Sequence, residues 1–98
     1  MGTSKIDGRI YADLNRWFNC QGSKHWVTLD RRGTIRDLDE LQIELEEHLI
    51  LPLWMDDADE EGLSDPLLFE GVVHFDADRS EWVAIVDWDE VRHASDEM

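Results

Sequence analysis

The hydrophobic positions of this chain change period along its length, and each change marks an expected element. Ile10, Leu14, Trp17 and Phe18 stand at i, i+4, i+7 and i+8. That is the spacing of one helical face, so a helix is expected over residues 9–19, with Asp7 placed to cap it; the adjacent aromatics Trp17 and Phe18 also suit a strand. Residues 19–23, Asn-Cys-Gln-Gly-Ser, read as a loop. The β-rich run 26–29 and the short run 34–36 predict a hairpin whose Arg31-Arg32-Gly33 turn sets Gly33 at positive φ. The alternative there is a loop running into the next helix.

Residues 37–49 predict a second helix. Leu38, Leu41, Leu45 and Leu49 form its apolar stripe, and Asp37 and Glu40 stand at capping-box spacing. No Lys or Arg lies on it to make an i, i+4 pair, so packing must hold it. Residues 49–55 read as a strand that Pro52 confines to a sheet edge or splits. Residues 56–66 form a polar loop. Residues 68–76 and 81–88 then predict a hairpin, with Phe69, Gly71, Val73 and Phe75 on one face of the first strand and Trp82, Ala84, Val86 and Trp88 on one face of the second. Gly71 marks a bulge or a close contact.

This order implies an α+β fold: a mainly antiparallel sheet of about five strands, open or curled into a barrel, with one or two helices packed on it. Ninety-eight residues suit a single small acidic domain over 1–98, with 1–8 and 94–98 expected to be flexible. No apolar stretch has the length of a signal peptide core or a membrane span. Cys20 is the one cysteine, which excludes an internal disulfide and suits a cytoplasmic protein in which the thiol is a small buried hydrophobe.

Charge changes the picture most. The formal net charge is −15, which opposes nucleic acid and anionic membranes. It is also polarised. Residues 1–36 carry seven Lys or Arg against three acids, a net +4, and residues 37–98 carry two Arg against 21 acids, a net −19.

The candidate chemistry is sparse. Asp57, Asp59, Glu61, Gly62 and Asp65 fit the first positions of a calcium-binding EF-hand loop, but the closing bidentate Glu is Leu68. His25, His48, His74 and His93 are scattered without zinc-site spacing. Asp87, between Val86 and Trp88, is the one acid expected to be partly buried, pairing with Arg92 or capping the next turn. No metal, cofactor or catalytic set is therefore assigned. Arg31, Arg32 and Arg36, with Lys24 and Trp26, could grip phosphate, but they are expected to neutralise the protein's own acids.

Five Trp in a chain of this size serve mainly as core. Trp54 and Trp88, flanked by acids, suit a surface that recognises a basic partner through cation–π contact and rim charges. The expected function is a non-enzymatic acidic interaction protein binding a basic macromolecular partner, of the inhibitor, antitoxin or DNA-mimic kind. Its contact residues would be Trp54, Asp56, Asp57, Asp59, Glu60, Glu61, Asp87, Trp88 and Asp89. The alternatives are a homo-oligomer whose basic third packs on a neighbour's acidic surface, and a weak cation- or small-ligand-binding domain using the 56–65 loop.

Overall fold

The computed structural model describes residues 8–57 and 61–97. They form strands β1 (Ile10–Tyr11), β2 (Trp17–Gln21) and β3 (Lys24–Thr28), helix α1 (Arg32–Glu40), and strands β4 (Ile50–Met55), β5 (Leu67–Asp76), β6 (Glu81–Asp87) and β7 (Arg92–His93), with 3-10 turns at Leu14–Arg16, Trp88–Glu90 and Ala94–Glu97. The sheet runs β1-β4-β5-β6-β3-β2, with β7 paired to β5. Only β1 and β4 are parallel; every other pair is antiparallel. The α+β expectation holds, with one helix and, in place of the expected five or so, seven strands among the described residues. The sheet is open, with β1 and β2 at its edges, and does not close into a barrel.

The predicted 68–88 hairpin is present, as β5 and β6 in register from Gly71↔Val86 to Asp76↔Glu81. Gly71 marks a close contact: a Cβ there would lie 2.8 Å from Leu53 Cδ1 and 2.9 Å from Ala84 Cβ. The strand predicted at 49–55 is β4, and Pro52 falls one residue outside the stretch that β1 covers.

The first predicted helix is instead β1, a 3-10 turn and β2. The buried residues are Ile10, Ala12 and Leu14. Their period is two, and Ala12 is too small to show it in a hydrophobicity pattern. Trp17 and Phe18 lie side by side on a strand rather than on one helical stripe. The loop expected at 19–23 is mostly strand, closed by a Gly22-Ser23 turn with Gly22 at φ 63°.

The 26–36 hairpin does not form either. β3 pairs back to β2 and outward to β6, and Arg31-Arg32-Gly33 starts α1. Gly33 lies inside that helix. A Cβ there would come within 3.2 Å of the Tyr11 ring.

The 37–49 helix is displaced towards the N-terminus and cut short. Gln42 adopts φ 55°, and the N–H groups of Gln42 and Ile43 donate to the carbonyls of Asp39 and Leu38. This is a Schellman cap with Gln where Gly is usual. Leu45 and Leu49 still reach the core, from irregular chain. Asp37 caps nothing: its carboxylate takes the Tyr11 N–H at 2.9 Å, while the Thr34 hydroxyl donates to the Tyr11 carbonyl. Side chains of α1 thus satisfy the outward backbone of β1.

One face of the sheet builds the core from Ile10, Val27, Leu51, Leu53, Phe69, Val73, Ala84 and Val86. Leu38 of α1 and Ile43, Leu45 and Leu49 pack against it. The opposite face is exposed only in part: Ile50 and Val72 lie open, whereas Leu68 and Val83 on the same face are buried. After β7, Ala94–Glu97 form a 3-10 turn, and the Ala94 N–H donates to the Pro66 carbonyl at 2.8 Å. Cys20 is exposed on edge strand β2, not buried. No helix among the described residues is long and apolar enough to cross a membrane.

Candidate interaction surface

β6 and β7 lie on the same side of β5, and the 3-10 turn at Trp88–Glu90 is an excursion between them. Asp87 begins it. Its Oδ1 accepts the Asp89 N–H at 3.1 Å, and its Oδ2 accepts Lys24 Nζ at 3.2 Å. Of the two expected roles it takes the cap, and its cation is Lys24 rather than Arg92. Hydrogen bonds from the Ser23 hydroxyl, the Asp89 N–H and Lys24 hold its carboxyl below the ordinary range. That is the reverse of what a general acid needs.

The excursion turns Trp88 outward. Its N–H donates to the Ser23 carbonyl at 2.7 Å, and its indole, 42% exposed, lies 4.6 Å from the His25 ring. On the other side of His25 stands Trp17, 48% exposed, with ring centroids 5.2 Å apart. Sequence reading assigned Trp17 to a helix and missed it. The signal that could have found it is the alternation of Ile10, Ala12 and Leu14, which extends the chain and leaves Trp17 at a sheet edge.

Trp54 is elsewhere. It lies on β4, half-buried, edge-on to Tyr11 at 5.4 Å. β5 and β6 separate β4 from β3, so Trp54 and Trp88 do not share one patch. Asp56 follows in an exposed segment, and Glu61 is exposed in the turn beyond. Asp57 is engaged: its carbonyl accepts the Asp65 N–H at 3.0 Å, and its Oδ2 takes His93 Nε2 at 2.7 Å. This bond is the first cause that raises the His93 pKa, aided by the charge of Asp65. Asp59 and Glu60 lie outside the described residues. Among the described residues no group of three His, Cys, Asp or Glu is placed to hold a metal ion.

The opposite face of the sheet carries a second surface. Directly paired residues share a face, so Ile50, Val72, Ile85 and Trp26 form one row across four strands. Ile50 is 65% and Val72 38% exposed. A groove of about 290 Å³ runs along the row, lined by Ile50, Val72 and Ile85 and edged by Lys24, Glu70, Asp87 and Glu90. Glu70 holds Arg9 at 3.1 Å and Arg92 at 3.0 Å. Burial pushes its carboxyl up, but the two arginines outweigh this and hold it below the ordinary value. His25 pairs with Val86 and Trp17 with Val27, so the Trp17–His25–Trp88 cluster belongs to the core-side face and the row to the opposite one.

Comparisons with protein-family models, with curated proteins and with solved structures found no match. The reading of the surface rests on its own geometry.

Proposed function

We propose that the protein is a non-enzymatic acidic binding protein whose partner is a basic macromolecule, docked on the sheet face opposite the core. The observation that carries this reading is the apolar row of exposed Ile50 and Val72 and half-buried Ile85, edged by Glu70, Asp87 and Glu90 with Lys24 as the one base. An apolar strip with a carboxylate rim fits the apolar face of a basic, amphipathic partner segment. The remaining net charge of −15 would speed encounter with such a partner and repel a second copy of the same chain. Trp88 and Trp17, on the core-side face, offer a separate pair of exposed rings suited to Lys or Arg. An inhibitor, antitoxin or DNA-mimic role and a cytoplasmic setting go with this reading.

The test is capture on immobilised protein at low salt, with retained chains identified by mass and eluted by a salt gradient. A basic protein should be retained, and Val72→Lys or Glu90→Lys should release it at lower salt. Retention of nothing basic, or equal retention by both variants, ends the proposal.

A further inference from the structure

Nine Lys and Arg stand against 24 acids in this chain, and the fold pairs most of the basic groups it describes. Arg9 and Arg92 meet Glu70, Lys24 meets Asp87, Arg36 meets Asp37 and Arg79 meets Glu81. Two break the rule. Arg16, ending the first 3-10 turn, and Arg32, opening α1, form no ion pair among the described residues. Acids so outnumber bases that an unpaired arginine is the exception here, and both occur at one place. Together with Arg31, Tyr11, Asp30 and Gly33 they line a single cleft of about 440 Å³. Arg31 reaches only Asp13, at a long 3.4 Å. Three arginines therefore line the cleft, with Asp30 as the one acid among its lining residues.

We infer that this cleft binds a compact phosphate dianion, free or as the monoester of a small molecule. Arginine's planar fork of donors matches phosphate oxygens in paired hydrogen bonds. The cleft volume is that of a small-ligand site. Tyr11 adds a ring wall and a hydroxyl; burial, then Asp13, push its pKa up, so it stays a neutral donor. The chemistry selects against long polyanions. A single phosphate sits within reach of the arginines, whereas a strand of nucleic acid would bring further phosphates against the acids of a −15 body. This site stands at the start of α1, apart from the Ile50–Val72–Ile85 row, and does not depend on the reading of that row. Sequence alone grouped Arg31 and Arg32 with Arg36. The fold replaces Arg36, which lines a different cleft, with Arg16.

The experiment is an amide NMR titration of the whole chain with inorganic phosphate, glucose 6-phosphate, sodium chloride and a single-stranded oligonucleotide, at constant sodium concentration. Saturating shifts at Arg16, Arg32 and Gly33 are expected with phosphate or the sugar phosphate. Tighter binding of the sugar phosphate would identify an ester as the ligand, and equal binding the free ion. Arg16→Gln with Arg32→Gln should weaken binding at least tenfold, and either single change should do so in part should the pair disturb folding. Arg36→Gln should leave it unchanged. Chloride producing the same shifts, an unaltered affinity in the double variant, or the oligonucleotide binding more tightly than the sugar phosphate would each overturn the inference.

Discussion

Gly71→Ala puts the packing of the central strands to a quantitative test. Two opposed effects decide the sign. Replacing Gly in a strand restricts the unfolded chain and should stabilise by about 0.5–1 kcal/mol. The new methyl, however, would lie 2.8 Å from Leu53 Cδ1 and 2.9 Å from Ala84 Cβ. Both neighbours are wholly buried, and the Ala84 contact is too close to its own backbone to swing away. Overpacking of this kind costs about 1–3 kcal/mol. The net loss should be about 1–2 kcal/mol, or roughly 5–15 °C in Tm for a domain of this size. Urea unfolding followed by tryptophan fluorescence measures it. Adding Ala84→Gly removes one of the two clashing atoms, so the double-mutant cycle should show a favourable coupling of at least about 0.5 kcal/mol. A Gly71→Ala protein as stable as the parent, or a cycle with no coupling, refutes the packing argument.

Three further predictions rest on the same reasoning. Gln42→Gly should stabilise by about 0.5–1 kcal/mol in thermal unfolding, because Gln42 holds the left-handed position of the α1 cap at φ 55°. Thr34→Val should cost about 1–3 kcal/mol in urea unfolding, because it removes the buried hydroxyl that donates to the Tyr11 carbonyl. Asp57 and its neighbours raise the His93 pKa above 6.5. The tether therefore stabilises the fold below the unfolded value and is lost as pH rises through the folded one. An NMR titration should place the His93 midpoint above 6.5, and Asp57→Asn should bring it down; an unshifted midpoint contradicts the contact.

What could be read in advance was decided by residues that speak locally. The β5–β6 hairpin was legible because its alternation spans many residues and Ala77-Asp78-Arg79-Ser80 is polar. The α+β class followed from that hairpin and a leucine-rich helix. The helix boundary was not legible: Gln42 occupies a position that Gly normally announces, so the stripe continued to Leu49 where the helix does not. The N-terminal third misled because a two-residue strand owes its existence to remote partners, namely Leu53 and Trp54 on one side and Thr34 and Asp37 on the other. For the surface, exposure of Trp88 beside Asp87 was anticipated from its flanking acids. The Ile50–Val72–Ile85 row and the meeting of Arg16 with Arg32 were invisible, since each draws on strands or turns far apart in sequence.

The strand order has a consequence for how the chain comes into being. The middle of the sheet, β5 and β6, is the last long hairpin to be synthesised, while β1 and β2 sit at opposite edges. Neither edge has its full seat until that hairpin exists: β3 needs β6, and β1 needs β4, which itself lies on β5. During translation β3, even when paired with β2, therefore has no seat in the sheet until β6 exists. The hairpins β2–β3 and β5–β6 are both built from contacts close in sequence, which favours their early formation. Cutting the chain before β6 should therefore abolish the fold, whereas trimming at β1 should loosen an edge.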